Sequence, residues 1–282
     1  MYKRQSLQAS LLRTRNFEWI VGGNIAKSTA KLKALGGEKQ VILDGNYNGM
    51  QLVNRVGESP YQFYGYQADG VFSTQAEADE AALVNRTGRS YSAGDVRFVD
   101  QNGDHRIDDK DRVLLGSASP DYCGGFYTQL KYKGLALSAE FSYSKGNMAY
   151  NAVRQQLESM STTNNQSLSV LNRWTVDGQK TDVPRARWKD PVGNSYFSSR
   201  WIEDASYLRL KNVTLSYTFS KTVWNFFRSG TLYVTGENLL TFTDYLGMDP
   251  EFSSSYSENV QGLDYGKLMQ PKTVKVGVNL KF

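Results

Sequence analysis

The links between the alternating segments constrain this chain more than anything else in it. Seven segments alternate apolar and polar residues with a period of two, the pattern of a strand with one apolar and one polar face. Leu135, Leu137, Ala139, Phe141 and Tyr143 share one face, opposite Ala136, Ser138, Glu140, Ser142 and Ser144. Near the end, Val274, Val276, Val278, Leu280 and Phe282 do the same. Shorter stripes run through Leu7–Leu11, Phe17–Ile25, Phe126–Tyr132 and Gly230–Leu240. In Ser206–Phe219 the apolar set moves from Leu208 and Leu210 to Val213, Leu215, Tyr217 and Phe219, which predicts a β-bulge near Lys211–Asn212. Short links (Arg13–Arg15, Tyr132–Gly134, Lys221–Ser229) alternate with long ones (Ser28–Pro120, Lys145–Asp204, Thr241–Pro271). A β-sandwich has no reason to sort its connections this way. A transmembrane β-barrel does, with short periplasmic turns and long outer loops.

Composition is compatible with that reading. Mean hydropathy is −0.52, and no stretch approaches the roughly 18 apolar residues of a membrane helix. A barrel strand needs only half its residues to be apolar. The chain has 18 Tyr, 25 Gly and only 6 Pro, a balance that favours strands and wet–dry interfaces. Tyr132, Tyr143, Tyr217, Phe219 and Phe282 sit at segment ends, where aromatic girdles lie. The expected fold is all-β: about seven spanning strands of an antiparallel transmembrane barrel, with long extracellular loops at about 28–120, 145–204 and 241–271. A soluble β-sandwich, with the apolar faces as core, is the rival.

Charge and reactive groups exclude several functions. The net charge of +5 is scattered and interrupted by acidic runs, with no basic stripe for nucleic acid. Cys123 is the single cysteine and His105 the single histidine, so neither an intrachain disulfide nor a Cys-based zinc cluster forms. No Ser-His-Asp arrangement or phosphate-loop spacing is present, and the pair Glu203-Asp204 reads as a solvated rim. No enzyme is expected.

The sharpest local motif is Asp100-Gln-Asn-Gly-Asp-His-Arg-Ile-Asp-Asp-Lys-Asp111. Asp100, Asn102, Asp104, the carbonyl of Arg106, Asp108 and Asp111 match positions 1, 3, 5, 7, 9 and 12 of a calcium loop. His105 replaces the glycine of position 6, and the last ligand is Asp rather than Glu. Calcium in an outer loop is the expectation, against a plain acidic turn. Tyr61, Phe63, Tyr64 and Tyr66 form either a ligand surface or a small packed β-element. Two short amphipathic helices are expected, at Gln75–Leu83 and Ala152–Met160.

Five blocks then carry a resemblance. They are Phe63–Phe72, Gly94–Asp104 with Ile107–Arg112, Pro120–Lys145, Ser199–Val213 and Gly236–Thr243, followed by the terminal Phe282. Together they resemble the carboxy-terminal part of a SusC/RagA-type TonB-dependent transporter of Bacteroidetes outer membranes. The resemblance implies a roughly 22-stranded barrel of which this chain is the last third. It also implies uptake of glycans or other oligomeric nutrients, with energy from a TonB complex reached through an amino-terminal region. A SusD-like lipoprotein lid is implied too, for which the two helices and Trp174–Trp188 are candidate contacts. Outer-membrane lipids and the barrel assembly machinery, with Phe282 as assembly signal, complete the implied partners. Residues 1–5 fit no pattern and are expected to be a non-native or truncated start, leaving 6–282 as barrel. The alternative is a small self-contained barrel or adhesin without transport.

Overall fold

The computed structural model describes residues 2–45, 47–220, 228–251 and 260–281. Seven long strands form one antiparallel sheet: β1 (Tyr2–Arg13), β2 (Phe17–Ser28), β3 (Tyr122–Tyr132), β4 (Leu135–Lys145), β5 (Tyr207–Ser220), β6 (Ser229–Thr243) and β7 (Thr273–Lys281). Each pairs only with its neighbours in chain order, giving an up-and-down meander. The short turns gather at one end of the sheet and the long links at the other. Residues 221–227 of the third short link and Phe282 lie outside the described residues.

Register confirms a single apolar face. Leu137 lies opposite Leu130 on β3 and Leu215 on β5. Leu215 lies opposite Val234, and Val234 opposite Val276. None of the residues in that row is buried: Leu137 is 41% exposed and Val276 77%. Leaving such side chains in water costs about 1.5–3 kcal/mol each, so the face requires an apolar surround. Where polar atoms fall on it, they pair: Trp19 Nε1 donates to Thr128 Oγ1 at 2.9 Å, as a lipid-facing surface requires. The opposite face is polar and cross-linked. Lys131 pairs with Glu18 at 3.2 Å, Asn212 donates to Glu140 at 2.9 Å, and Lys275 pairs with Glu237 at 2.5 Å.

Gly22, Gly230 and Gly277 in the wall lie under aromatic rings on the neighbouring strand. A Cβ on Gly22 would come within 2.6 Å of the Tyr127 ring, and one on Gly277 would collide with Tyr233. The ring lies across the strand where the glycine leaves room, which adds contact area without a side chain of its own.

One detail differs from the sequence reading, which leaves residues 1–5 out of the barrel. Tyr2–Gln5 extend β1, opposite Ser28–Ile25 on β2. Hydrogen bonding with β2 holds them although their side chains show no alternation. β3 begins at Tyr122, just past the expected link end at Pro120, and Cys123-Gly124-Gly125 ladder with Ala26-Ile25-Asn24. The predicted bulge is present: Glu140 faces Asn212 while Phe141 faces Leu210, leaving Lys211 extra.

The long links are not loose loops. The first contains a four-stranded sheet of Gln40–Asp44, Gln51–Arg55, Gln62–Tyr66 and Arg112–Ser117. It also carries helix α1 (Gln75–Ala81), capped by Thr74. The second carries α2 (Ala152–Glu158), capped by Asn151. Met148–Asn151 and Ile202–Asp204 of the second link join Leu263–Asp264 of the third in a three-stranded sheet. Met50, Leu52 and Phe63 pack with Tyr150, Phe197, Trp201 and Leu263, so all three links share one core.

Candidate ligand-binding cavity in the loop layer

A cavity of 560 Å³ opens in this loop layer. Its floor is set by Gln155, buried on the inner side of α2. Gln155 Oε1 accepts from Asn48 Nδ2 at 3.1 Å and from the Tyr150 hydroxyl, while its Nε2 donates to the Ser195 carbonyl at 2.8 Å. One amide therefore ties the first link to the second. Tyr66 N donates to the Phe197 carbonyl at 3.2 Å, making a second tie.

One wall of the cavity is a stack of rings and guanidiniums. Arg112 lies over the Tyr66 ring at 5.2 Å and Arg86 over the Tyr196 ring at 5.3 Å. The two rings are 5.5 Å apart. Arg86 is placed by a locked turn: Asn85 Oδ1 accepts from Thr87 N at 3.0 Å and Arg89 N at 2.9 Å. Arg112 holds Asp109 at 2.8 Å. Burial pushes the Tyr66 phenol pKa up, and the Arg112 charge beside it pulls it partly back. The Tyr66 hydroxyl and Arg112 Nε are buried without a hydrogen bond of good geometry. The lining is otherwise amides and hydroxyls, including Gln51, Gln156, Ser159 and Thr162, with no carboxylate. Such a surface suits a polar ligand and offers no nucleophile or general base.

No protein-family model matches the chain. The TonB-dependent receptor P3 of Formosa agariphila is 31% identical over 290 residues, covering 98% of this chain and 28% of that protein. The TonB-dependent receptor SusC of Bacteroides thetaiotaomicron is 25% identical over 98% of this chain and 26% of its own length. This chain belongs to the SusC/RagA-type TonB-dependent receptors. The structure of the RagAB peptide transporter superposes on it with a TM-score of 0.76, at 23% identity, over 99% of this chain and 29% of that one. The barrel wall described above is therefore a receptor wall of the bacterial outer membrane. The chain spans less than a third of the length of these relatives, and its seven strands form an open arc of the barrel.

Within this receptor segment, the four aromatics singled out in sequence part company. Phe63 and Tyr64 are buried in the loop core, Phe63 beside Phe197 with ring centroids 6.3 Å apart. Tyr66 alone lines the cavity. Tyr61 takes a left-handed φ of 55°, and its N donates to Asn54 Oδ1 at 2.7 Å. Of the rest of the site, Arg112 ends the block Ile107–Arg112 and Gln155 lies in the expected helix Ala152–Met160, but the sequence singles out neither them nor Arg86 and Tyr196 as site residues. The site's residues lie as far apart as 86 and 196 in sequence, and only the packing of two links brings them together.

The Asp100–Asp111 loop is folded by its own carboxylates. Asp100 accepts from the backbone N–H of Asn102, Gly103 and His105, the last at 2.7 Å. Burial alone would raise its pKa, but these N–H groups outweigh it and hold the carboxyl below its usual range. His105 takes a φ of 58°, the left-handed turn that position 6 of such a loop demands. Asn102 Nδ2 donates to Asp104 at 2.9 Å, and the fully buried Asp111 accepts from Gln101 N and Asp108 N. Among the described residues, no group of three or more His, Cys, Asp or Glu converges to hold a metal ion. Phe282, the implied assembly signal, lies outside the described residues. Glu203 and Asp204 are engaged in ion pairs with Arg154 and Lys145.

Proposed function

We propose that the chain forms the carboxy-terminal wall and outer loops of a receptor that imports oligomeric nutrients, glycans foremost, across the outer membrane. A TonB complex supplies the energy through parts of the receptor beyond this chain. The observation that carries this reading is the pairing of an apolar-out wall with a polar cavity in the outer loops. That is the arrangement of a ligand receptor on a pore-forming sheet. A self-contained barrel is the weaker alternative, because β1 and β7 each lack an outer neighbour among the described residues. Exposed edges of that length invite aggregation unless further strands cover them.

A SusD-like lipoprotein is the proposed lid. Leu168 and Leu171 are 84% and 70% exposed in the second link, with Val176 and Trp188 also bare. Apolar side chains presented to water on a loop layer suit a partner surface. The test is deletion of the gene, followed by growth on a panel of oligosaccharides and peptides. Loss of growth on one oligomer, with growth on its monomers retained, supports import. Unchanged growth on every oligomer refutes it.

Calcium in the Asp100–Asp111 loop is a second proposal, supported by the oxygen spacing and by the φ of His105. Binding requires Asn102 and Asp104 to release each other. Calcium-dependent protection of this loop from proteolysis in the full-length receptor is the expected result. Equal cleavage in calcium and in chelator refutes it.

A further inference from the structure

We propose that the loop cavity recognises an anionic group, a carboxylate or a sulfate, on an acidic glycan. The inference rests on the import reading and narrows its substrate class. Three observations carry it. First, the lining holds two arginines and no carboxylate. Arg86 has no ion-pair partner among the described residues, and Asp109, which pairs with Arg112, is largely exposed and not part of the lining. The cavity thus keeps unneutralised positive charge. Second, the charge is aimed. Both guanidiniums lie over a tyrosine face, at 5.2 and 5.3 Å, on adjoining rings. Stacking fixes the plane of each fork; the Arg86 fork has no ion pair among the described residues, while Arg112, held by Asp109 through Nη2, adds a second cation beside it. Third, Tyr66 is 4% exposed and lines the cavity, and its hydroxyl has beside it only the Arg112 guanidinium, itself a donor, so the phenol O–H finds no acceptor. An unsatisfied buried donor next to a guanidinium is costly unless a ligand oxygen completes it.

The remainder of the lining favours a sugar over a peptide. Asn48, Gln51, Gln156, Ser159 and Thr162 present amides and hydroxyls that match a hydroxyl-rich chain. Apolar lining is confined to Phe197 and the two stacked rings, so no pocket awaits a hydrophobic peptide side chain.

The test uses the full-length receptor in detergent and isothermal titration with oligosaccharides of equal length: neutral, uronic-acid and sulfated. Uronic-acid and sulfated ligands distinguish the two anion sources. At least one acidic glycan is expected to bind more tightly than the neutral one, with affinity that falls as salt rises. Arg86→Gln is expected to weaken that ligand about tenfold or more, as loss of a charged hydrogen bond does, and to weaken a neutral ligand of equal length by clearly less. Arg86 is exposed, so the variant keeps the fold; Arg86→Lys, which retains charge without the fork, should recover only part of the loss. Equal affinity for neutral and acidic ligands, no effect of Arg86→Gln, or tighter binding of acidic peptides than acidic glycans would each overturn the proposal. Gene deletion separates the two levels. If deletion abolishes growth on a neutral oligomer only, import stands and the anionic cavity falls.

Discussion

Val276 on β7 is 77% exposed and Phe63 in the loop layer is 0% exposed, yet both sit in β-structure. None of the buried hydrophobic residues of the described chain lies on the seven wall strands; all lie in the three long links. The same side-chain chemistry therefore faces outward in one region and inward in the other. What differs is the solvent. The wall buries its apolar face against lipid and needs only hydrogen bonds between strands. The loop layer stands in water and must build its own core, which it does by pooling residues from all three links. A membrane receptor of this kind is two stability problems in one chain, and substitutions in the two regions should separate them.

The largest effect is expected in the loop core. Trp201 is 1% exposed, and its Nε1 donates to the Tyr196 carbonyl at 3.1 Å. Trp201→Ala should cost about 3–5 kcal/mol. Hydrogen exchange of the full-length receptor should show faster exchange in residues 40–66 and 148–204 with wall amides still protected. Equal loss in the wall would break the division into two regions.

Next is a charge on the lipid face. Leu137→Arg at mid-wall should cost about 2–4 kcal/mol of folding into a bilayer. Leu168→Arg replaces a more exposed leucine, but in the loop layer, and should stay within about 0.5 kcal/mol. Denaturant titrations in vesicles compare the two. Similar penalties would mean that the wall face does not meet lipid. A smaller effect belongs to the wall's glycine–ring joints. Gly22→Ala drives a methyl into the Tyr127 ring, an overpacking worth about 1–3 kcal/mol. Adding Tyr127→Ser should make the second change less costly than either alone predicts; strict additivity would show that ring and glycine do not touch.

The wall was legible in sequence and the loop layer mostly was not, for one physical reason. Period-two alternation is local, so Leu135–Ser144 declares its faces without reference to any other strand. Even the bulge at Lys211 is visible, because a phase change is also local. In contrast, Gln62–Tyr66 is buried on both faces by residues from another link, such as Phe197, and a wholly buried short strand shows no alternation. The cavity is harder still: Arg86 and Arg112 look like ordinary surface cations until Tyr196 arrives from the second link. The two short helices, expected from local amphipathicity, start where the sequence places them, at Gln75 and Ala152, and end two residues early, at Ala81 and Glu158; Thr74 and Asn151 cap their starts.

The joint between the two regions yields the subtlest effect, and it is one of sign. The bulge at Lys211 lets Arg209 and Lys211 both reach acids of the third link. Arg209 pairs with Asp249, and Lys211 with Glu251 at 2.6 Å. Burial raises the Asp249 carboxyl pKa, but the Arg209 hydrogen bond and the N–H groups of Gln270 and Glu251 outweigh it and hold the group below its usual range. A depressed folded pKa stabilises above the unfolded carboxylate value of about 3.9, and that stabilisation is lost as pH falls through the folded value. Asp111 in the first link runs the other way. Burial raises it, with the Asp100 and Asp108 charges adding to the effect, so its contribution is present in acid and lost as pH rises. In residues 100–111 the depressed Asp100 and the raised Asp111 oppose each other, so acidification below about pH 4 should open residues 244–251 to protease more than residues 100–111, in the full-length receptor. Asp249→Asn should flatten the pH dependence of the third link and leave that of the first unchanged. If the third link still opens in acid in that variant, the Arg209–Asp249 joint is not what fastens the loop layer to the wall.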